Sequence, residues 1–572
     1  MRFCHALLFI QSFAVLCLWL CLFGAFAALA GQDLGAHELF RVSIAHTNDT
    51  HSIYGGYTAD GRICYAPRCE GGMGGYARLH QAVRAVRSKR PDTLLLDAGD
   101  IFQGSLYWTA HKSSMPVTIL PFFNYLAFVP GNHEFDEGCE PFFHLVSGLH
   151  RQDGTGTVPL AANLSFAPFV SPKEAPQIAP WLITDVRGRK VGVIGLANPE
   201  TPSLAFPCSQ ARFGDPVSSL RKAVAALQEQ GVDIIVALTH LGLEQDKMLA
   251  AQVDGVDVIV GGHSHSLLSN TQPGASGAYP LHLVSPSGEP VLIVTAGSHT
   301  RFLGSLDVDF DSKGVARAWQ GDVIVLTDSA LADSALASPS APDDDAELAR
   351  QVESFSIPVR TMFEEKLGTI LLADQKGPLE DTKRQCRQKE CLTGNIVADA
   401  LLSAVPDAEI ALLNGGAIRN ALPTGPVSLG NVLETLPYAD ACATATLSGR
   451  DVQRALEHGL SAYADAAGRF LQVSGLRYDC NPAAPVGKRL LNVWVQKADG
   501  QWHTIDPDGK YTVVVLDYLS QGGDGFSFFS HFSWKTGKLQ SSDALRDYII
   551  KNSPLQPELQ KRIHVRGIDE LP

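Results

Sequence analysis

Five short apolar runs in the first half of the chain each end in a turn crowded with histidine, aspartate or asparagine, and nothing else restricts the fold as strongly. Val42–Ala45 leads into His46-Thr47-Asn48-Asp49-Thr50-His51, and Thr93–Leu96 into Asp97-Ala98-Gly99-Asp100. Leu126–Val129 is broken by Pro130 and Gly131, which puts Asn132 and His133 on a turn ahead of Glu134, Phe135 and Asp136. Asp233–Leu238 leads into Thr239-His240, and Asp257–Val260 into Gly261-Gly262-His263-Ser264-His265. Short apolar runs bounded by turn residues read as buried strands. Between them lie helical stretches, so this half is a layered α/β domain whose polar turns gather at the ligand-binding ends of its strands.

Taken singly, each turn is weak evidence, because a lone Gly-His or Asp-x-His is more often a loop residue than a ligand. Together they supply Asp49, His51, Asp100, Asn132, His240, His263 and His265. Imidazoles and carboxylates without cysteine suit catalytic zinc, manganese or iron and argue against a structural zinc site. The set is too large for one ion and sufficient for two sharing a bridging carboxylate. Two such ions held roughly 3.5–4 Å apart can lower the pKa of a bound water and clamp a phosphate for in-line attack. The net charge of −14 argues against nucleic acid polymers and anionic membrane surfaces as partners. An anionic substrate then needs the cations, which against Asp49 and Asp100 leave roughly +2 at the site. Asn48 also opens an Asn-x-Thr sequon, which inside this loop reads as accidental. The glycine run Gly71–Gly75 reads as a turn ahead of a helix, not as a phosphate loop.

With 572 residues the chain exceeds one ordinary core, and two domains are expected. Residues 1–30 combine Arg2 and His5 with a long apolar run ending in Ala27-Ala28-Leu29-Ala30-Gly31, the pattern of a cleavable export signal. An uncleaved anchor is the alternative, and membrane contact is expected only in that case. The absence of an apolar tail argues against a C-terminal lipid anchor. Cys4, Cys17 and Cys21 fall in that segment and eight cysteines remain, which in an exported chain points to disulfides. Cys64 with Cys69, and Cys386 with Cys391, are close enough to staple local loops, while pairing among Cys139, Cys208, Cys442 and Cys480 stays open. Residues 36–327 form the first domain and 328–345 read as a linker. A connecting helix is expected over 347–365, and a second mixed domain over 366–565.

Asp49-Thr50-His51, Gly99-Asp100, Gly131-Asn132-His133-Glu134, His240 and Gly262-His263-Ser264-His265 resemble the calcineurin-like metallophosphoesterases. Asn414-Gly415-Gly416-Ala417-Ile418-Arg419 and Gly522-Gly523-Asp524-Gly525-Phe526 are similar to signatures of the 5'-nucleotidase family, which includes ecto-5'-nucleotidases and periplasmic UDP-sugar hydrolases. The Cys386-Arg387 segment and the Cys64/Cys69 loop are similar to the animal ecto-enzyme. The resemblance covers nearly all of the mature chain. It implies an α/β and α+β architecture: an N-terminal four-layer β-sandwich flanked by helices, a connecting helix, and a C-terminal mixed α/β domain that binds the nucleotide.

By the same resemblance, Asp49, His51, Asp100 and His265 would hold one divalent ion, and Asp100, Asn132, His240 and His263 the other. Zinc is expected, with manganese as an alternative. His133, oriented by Asp136, would stabilise the phosphoryl transition state. Arg387, Arg419 and Asn414 would contact phosphate or ribose, with Gly416 and Asp524 in the signatures beside them. Tyr438 and Tyr518 would sandwich the base, at positions typically Phe in the animal enzyme. The implied activity is hydrolysis of nucleoside 5'-monophosphates in an exported compartment. A UDP-sugar, a nucleoside diphosphate or a 2',3'-cyclic nucleotide is the alternative substrate, and a non-catalytic nucleotide-binding surface protein the remote one. The oligomeric state is not legible.

Overall fold

A computed structural model describes residues 39–149, 156–167, 178–333, 342–372, 379, 385–438, 440–497 and 499–566. The export segment and residues 334–341 of the expected linker lie outside these. Among the described residues no helix is long and apolar enough to cross a membrane.

The first half is built on two six-stranded sheets. In one, Phe40–Thr47, Leu94–Asp97 and Ala127–Phe128 run parallel, with Thr47 level with Asp97 and Asp97 level with Phe128. In the other, Arg189–Leu196, Ile234–Thr239 and Val258–Gly261 run parallel, with Leu196 beside Thr239 and Thr239 beside Gly261. This register delivers all five polar turns to matching strand ends. The sheets face each other across a shared core containing Ile44, Leu96 and Ala127 from one and Val193, Val236 and Ile259 from the other. Helices Tyr76–Lys89 and Glu140–Leu149 cover the outer face of the first sheet through Leu79 and Phe142, and Pro216–Gln228 and Leu243–Gln252 pack on the second through Leu220 and Leu249. Every residue of Ile234–Thr239 is buried, as a strand covered on both faces requires.

The second half centres on a five-stranded sheet ordered Leu471–Ser474, Ile410–Asn414, Lys510–Leu516, Ala441–Ser448, Lys535–Gln540. Helices Leu392–Ala404 and Ser541–Asn552 cover one face and Gly449–Gly459 the other. The mixed α/β two-domain expectation agrees with this architecture.

Two boundaries differ from the sequence reading. Asp328–Asp333 is a short helix where linker was expected, and the long helix spans Pro342–Thr361, not 347–365. Pro342 opens it at a position where the missing N–H is no loss. Asp345 then accepts from His80 Nδ1 at 2.7 Å and Arg84 at 3.1 Å, which holds the first turn on the Tyr76–Lys89 helix. Among the described residues three disulfides are present: Cys64–Cys69, Cys386–Cys391 and, unread from sequence, Cys139–Cys208. Cys442 and Cys480 are buried and lie outside these bridges.

Tyr65 joins the two halves, donating its hydroxyl to Glu434 Oε1 at 2.7 Å while its carbonyl accepts from Arg360 of the long helix at 2.9 Å. Burial raises the Glu434 carboxyl to about 7, against the Tyr65 hydrogen bond. A carboxyl raised in the folded state favours folding below its ordinary range, and that contribution is lost as pH climbs through about 7. Glu434→Gln should therefore raise the melting temperature at pH 8 and change it little at pH 4.5. An equal change at both pH values would show that Glu434 is not held protonated.

Candidate metal centre and substrate cleft

Glu134 organises the strand ends. Its buried carboxylate accepts the backbone N–H of Asp100 at 3.0 Å, Ile101 at 2.8 Å, Phe102 at 3.0 Å and Gly131 at 2.6 Å. Two of the ligand turns are thereby fixed to one another. Two more are fixed to one another by His263, whose N–H reaches both Asp49 oxygens at 3.0 Å. Asp49, His51, Asp100, His263 and His265 all take positive φ, between 49° and 76°. Non-glycine residues in that region each cost about 1–3 kcal/mol and collect at functional sites.

All seven residues read as metal ligands converge. His240 Nε2 stands 3.1 Å from Asp100 Oδ2 but out of hydrogen-bond alignment. His51 Nε2 faces His265 Nε2 at 2.9 Å, and His263 Nδ1 faces Asn132 Oδ1 at 3.0 Å. His265 Nε2 lies 3.5 Å from Asp49 Oδ1. The far nitrogens of two rings are anchored: His51 Nδ1 to the Gln103 carbonyl at 2.9 Å and His240 Nδ1 to the Ala98 carbonyl at 2.6 Å. With Nδ1 donating to a carbonyl, the neutral His51 ring presents a bare lone pair at Nε2. At His240 burial is outweighed by the Asp100 carboxylate, which raises the ring to about 10, so that it carries a second proton that a bound cation would displace. Burial keeps His51 well below its ordinary basicity, and burial followed by His240 lowers His263 to about 4, so both are neutral. Bare nitrogens and carboxylate oxygens pointing at each other are the donor set of a cation site, and the residues fit divalent metal.

A ring nitrogen of His133 lies within 4.8 Å of ligand atoms of His51 and Asp100, and the ring has a carboxylate partner of its own. Its Nδ1 bonds Asp136 Oδ2 at 2.7 Å and its N–H donates to Asp100 Oδ1 at 2.9 Å. Burial lowers its basicity, but Asp136 and then Asp100 outweigh it and raise the ring to about 9. Asn48 is buried, with Nδ2 donating to the Gly297 carbonyl at 2.6 Å, so the sequon is structural as expected.

A cavity of about 780 Å³ opens over this centre and is walled by both halves. His51, Asp100, Asn132, His133, Asp136, His263 and His265 line it from the first, with Asp49 and His240 buried behind. From the second come Arg387, Asn414, Gly416, Arg419, Tyr438, Tyr518 and Asp524. Asn414 Nδ2 donates to Asp524 Oδ2 at 2.8 Å, and Tyr518 Oη accepts the Asp524 N–H at 2.9 Å. The Tyr518 ring meets Phe206 edge-on at 5.6 Å, and Arg419 lies 5.9 Å from the Tyr438 ring centroid. Arg387 Nε is buried without a hydrogen-bond partner, and burial followed by Arg419 lowers its basicity.

The sequence reading missed Gln103, Phe206, Asp440 and Asp517 on this wall, and His299 beside His51 and His265. His299 carried a readable signal: it follows the Pro290–Val294 strand as the other turns follow theirs.

This fold and site define a metal-dependent phosphoester hydrolase. Residues 42–267 match the calcineurin-like phosphoesterases, and residues 370–531 match the 5'-nucleotidase C-terminal domain. The chain is 30% identical to the 5'-nucleotidase of Bos taurus over 546 residues, covering 92% of this chain and 91% of that one. It is 31% identical to that of Diplobatis ommata, with 94% and 92% covered. The solved 5'-nucleotidase precursor of Thermus thermophilus aligns with a TM-score of 0.79 at 32% identity, over 92% of this chain and 100% of that one. The chain belongs to the 5'-nucleotidase family.

Glu134→Gln replaces one acceptor oxygen with an amide that cannot accept, stranding at least one buried N–H at about 1–3 kcal/mol. Because the stranded groups carry Asp100, the variant should melt lower and bind zinc about 10–100-fold more weakly. Unchanged zinc affinity by calorimetry would show that the Asp100 turn is held by other contacts.

Proposed function

We propose that the chain is an exported two-metal 5'-nucleotidase that releases phosphate from nucleoside 5'-monophosphates. The observation that carries this reading is the shared cleft, in which the cation donors on one wall face two arginines and two tyrosines on the other. Asp49, His51, Asp100 and His265 would hold one ion and Asp100, Asn132, His240 and His263 the second, with zinc or manganese suited to the donors. The ions supply Lewis acidity and an activated water.

The chain's own residues do the rest. Asp136 holds His133 by Nδ1, leaving Nε2 as a proton donor to charge developing on the phosphoryl and leaving oxygens. Arg387 and Arg419 receive phosphate, Asn414 and Asp524 fix the ribose beside Gly416, and Tyr438 and Tyr518 grip the base. The catalytic part is assigned to 36–327, the nucleotide-binding part to 366–565 and the connection to 328–365. The disulfides are in keeping with export.

His133→Ala should lower kcat for AMP by about 10²–10⁴-fold with metal content unchanged. Loss of metal in that variant would make His133 a ligand and this role wrong. Replacing Tyr438 or Tyr518 by Ala should weaken AMP binding by about 1–3 kcal/mol, roughly 5- to 150-fold, mainly in KM. Hydrolysis of methyl phosphate, which has no base, should stay nearly the same. Equal losses on both substrates would mean that the tyrosines are packing residues, and turnover of methyl phosphate but not AMP would reject the nucleotidase reading.

A further inference from the structure

The geometry points to His299 as a further ligand of the first ion, bound through Nε2, with Tyr57 as the residue that positions it. This rests on the two-ion reading above. A ring nitrogen of His299 and the ring nitrogens of His51 and His265 all lie within 4.8 Å of one another, close enough for one cation to reach all three. The His299 ring centroid is 5.3 Å from those of both His51 and His265, with the planes inclined at 73° and 75°. His299 thus meets both rings edge to face, while His51 and His265 are tilted at 58° with centroids 4.9 Å apart, so none of the three pairs stacks.

The backbone supports the same reading. His299 has φ of 63°, the left-handed conformation shared by Asp49, His51, Asp100, His263 and His265. Its N–H donates to the carbonyl of Asp49 at 2.7 Å. The loop before it is fixed from both sides by Asn48, which accepts the Ala296 N–H at 2.9 Å and donates to the Gly297 carbonyl at 2.6 Å. Thr300 accepts the Gly75 N–H at 3.0 Å, closing the loop on its other end. The ring is thus held against the metal turn by its backbone, at a conformational cost that packing alone does not require.

The Tyr57 hydroxyl sits 2.8 Å from His299 Nδ1, and Arg301 lies 5.5 Å from the Tyr57 ring centroid. A tyrosine oxygen that accepts the Nδ1 proton fixes the tautomer with its lone pair at Nε2, as the carbonyl of Gln103 does for His51. Asp49 meanwhile shares its carboxylate with the His263 N–H and with Asn48 Nδ2 at 2.7 Å. A third imidazole makes up donor strength where Asp49 is divided. With Asp49, His51, Asp100 and His265, the first ion would then have three nitrogen and two carboxylate ligands.

The test is metal binding, not turnover. Metal-free protein is titrated with zinc by calorimetry, and the visible absorption of the cobalt-loaded protein is recorded, for the parent, His299→Ala, His299→Gln and Tyr57→Phe. Wild type should bind two ions. His299→Ala and His299→Gln should weaken one of the two sites by about 10–100-fold and leave the other unchanged, with an altered cobalt spectrum. Tyr57→Phe should shift the same site in the same direction by less. Two ions bound by His299→Ala with parental affinities and spectrum would overturn the assignment while leaving the two-ion reading intact. Fewer than two ions in the parent would instead overturn the two-ion reading on which it rests.

Discussion

The carboxylate of Glu134 accepts four backbone N–H groups from two separate turns, and the candidate metal centre depends on that clamp. Burial raises its carboxyl to about 7, with the Asp100 charge adding to this, and the N–H groups of Phe102 and Gly131 pull it back. Leaving those four donors orphaned would cost about 1–3 kcal/mol each. That sum rivals the whole stability of a domain, about 5–15 kcal/mol. The clamp lets Asp100 and Asn132 sit on irregular backbone without drifting apart. Metal-ligand geometry here is secured by a residue that is not itself read as a ligand.

Side chains must reach the ions from strained positions, so glycines supply the space around them. A Cβ on Gly131 would stand 2.1 Å from Asp100 Oδ1, and one on Gly262 would stand 2.6 Å from the Ala98 carbonyl. Each glycine lets one ligand turn approach another more closely than any side chain would allow. The left-handed residues between them then aim their donors inward, and the backbone hydrogen bonds from His263 to Asp49 and from His299 to Asp49 lock the turns together. The parallel register below, with Thr47, Asp97 and Phe128 side by side, makes such contacts possible.

The strands and ligand turns were legible because burial on both faces writes an unbroken apolar run, and a turn breaker then marks where it stops. Val258–Gly261 and the histidines after it are such a case. What escaped has a common physical cause, since it depends on contacts between distant residues. The Cys139–Cys208 bridge joins positions 69 apart, and no local pattern announces it. Glu134 received no role of its own from the sequence, which does not show that its oxygens face backbone N–H groups. His299 obeyed the same strand-then-histidine rule as the others, but its separation from them hid the relation. The substrate wall was readable only through resemblance: Arg387, Tyr438 and Tyr518 come from different elements, and nothing local ties them together.

The cleft carries a local positive field that the net charge of −14 does not suggest. Arg387 and Arg419 share the cleft, where burial followed by Arg419 lowers the basicity of Arg387, and His133, against burial, is raised to about 9 by Asp136 and then Asp100. Burial and then Asp517 lift the Asp440 carboxyl to about 8, so this wall aspartate is held protonated at neutral pH and adds no negative charge to the cleft. The positive groups facing an anion in the cleft are therefore the two arginines, one of them 5.9 Å from the Tyr438 ring centroid, and the His133 imidazolium. A nucleotide carries its charge at one end and its hydrogen-bond donors and flat base at the other. Local field, not net charge, orients such a molecule, because the outer charges are screened beyond about 8–10 Å at physiological ionic strength and the buried ones are not.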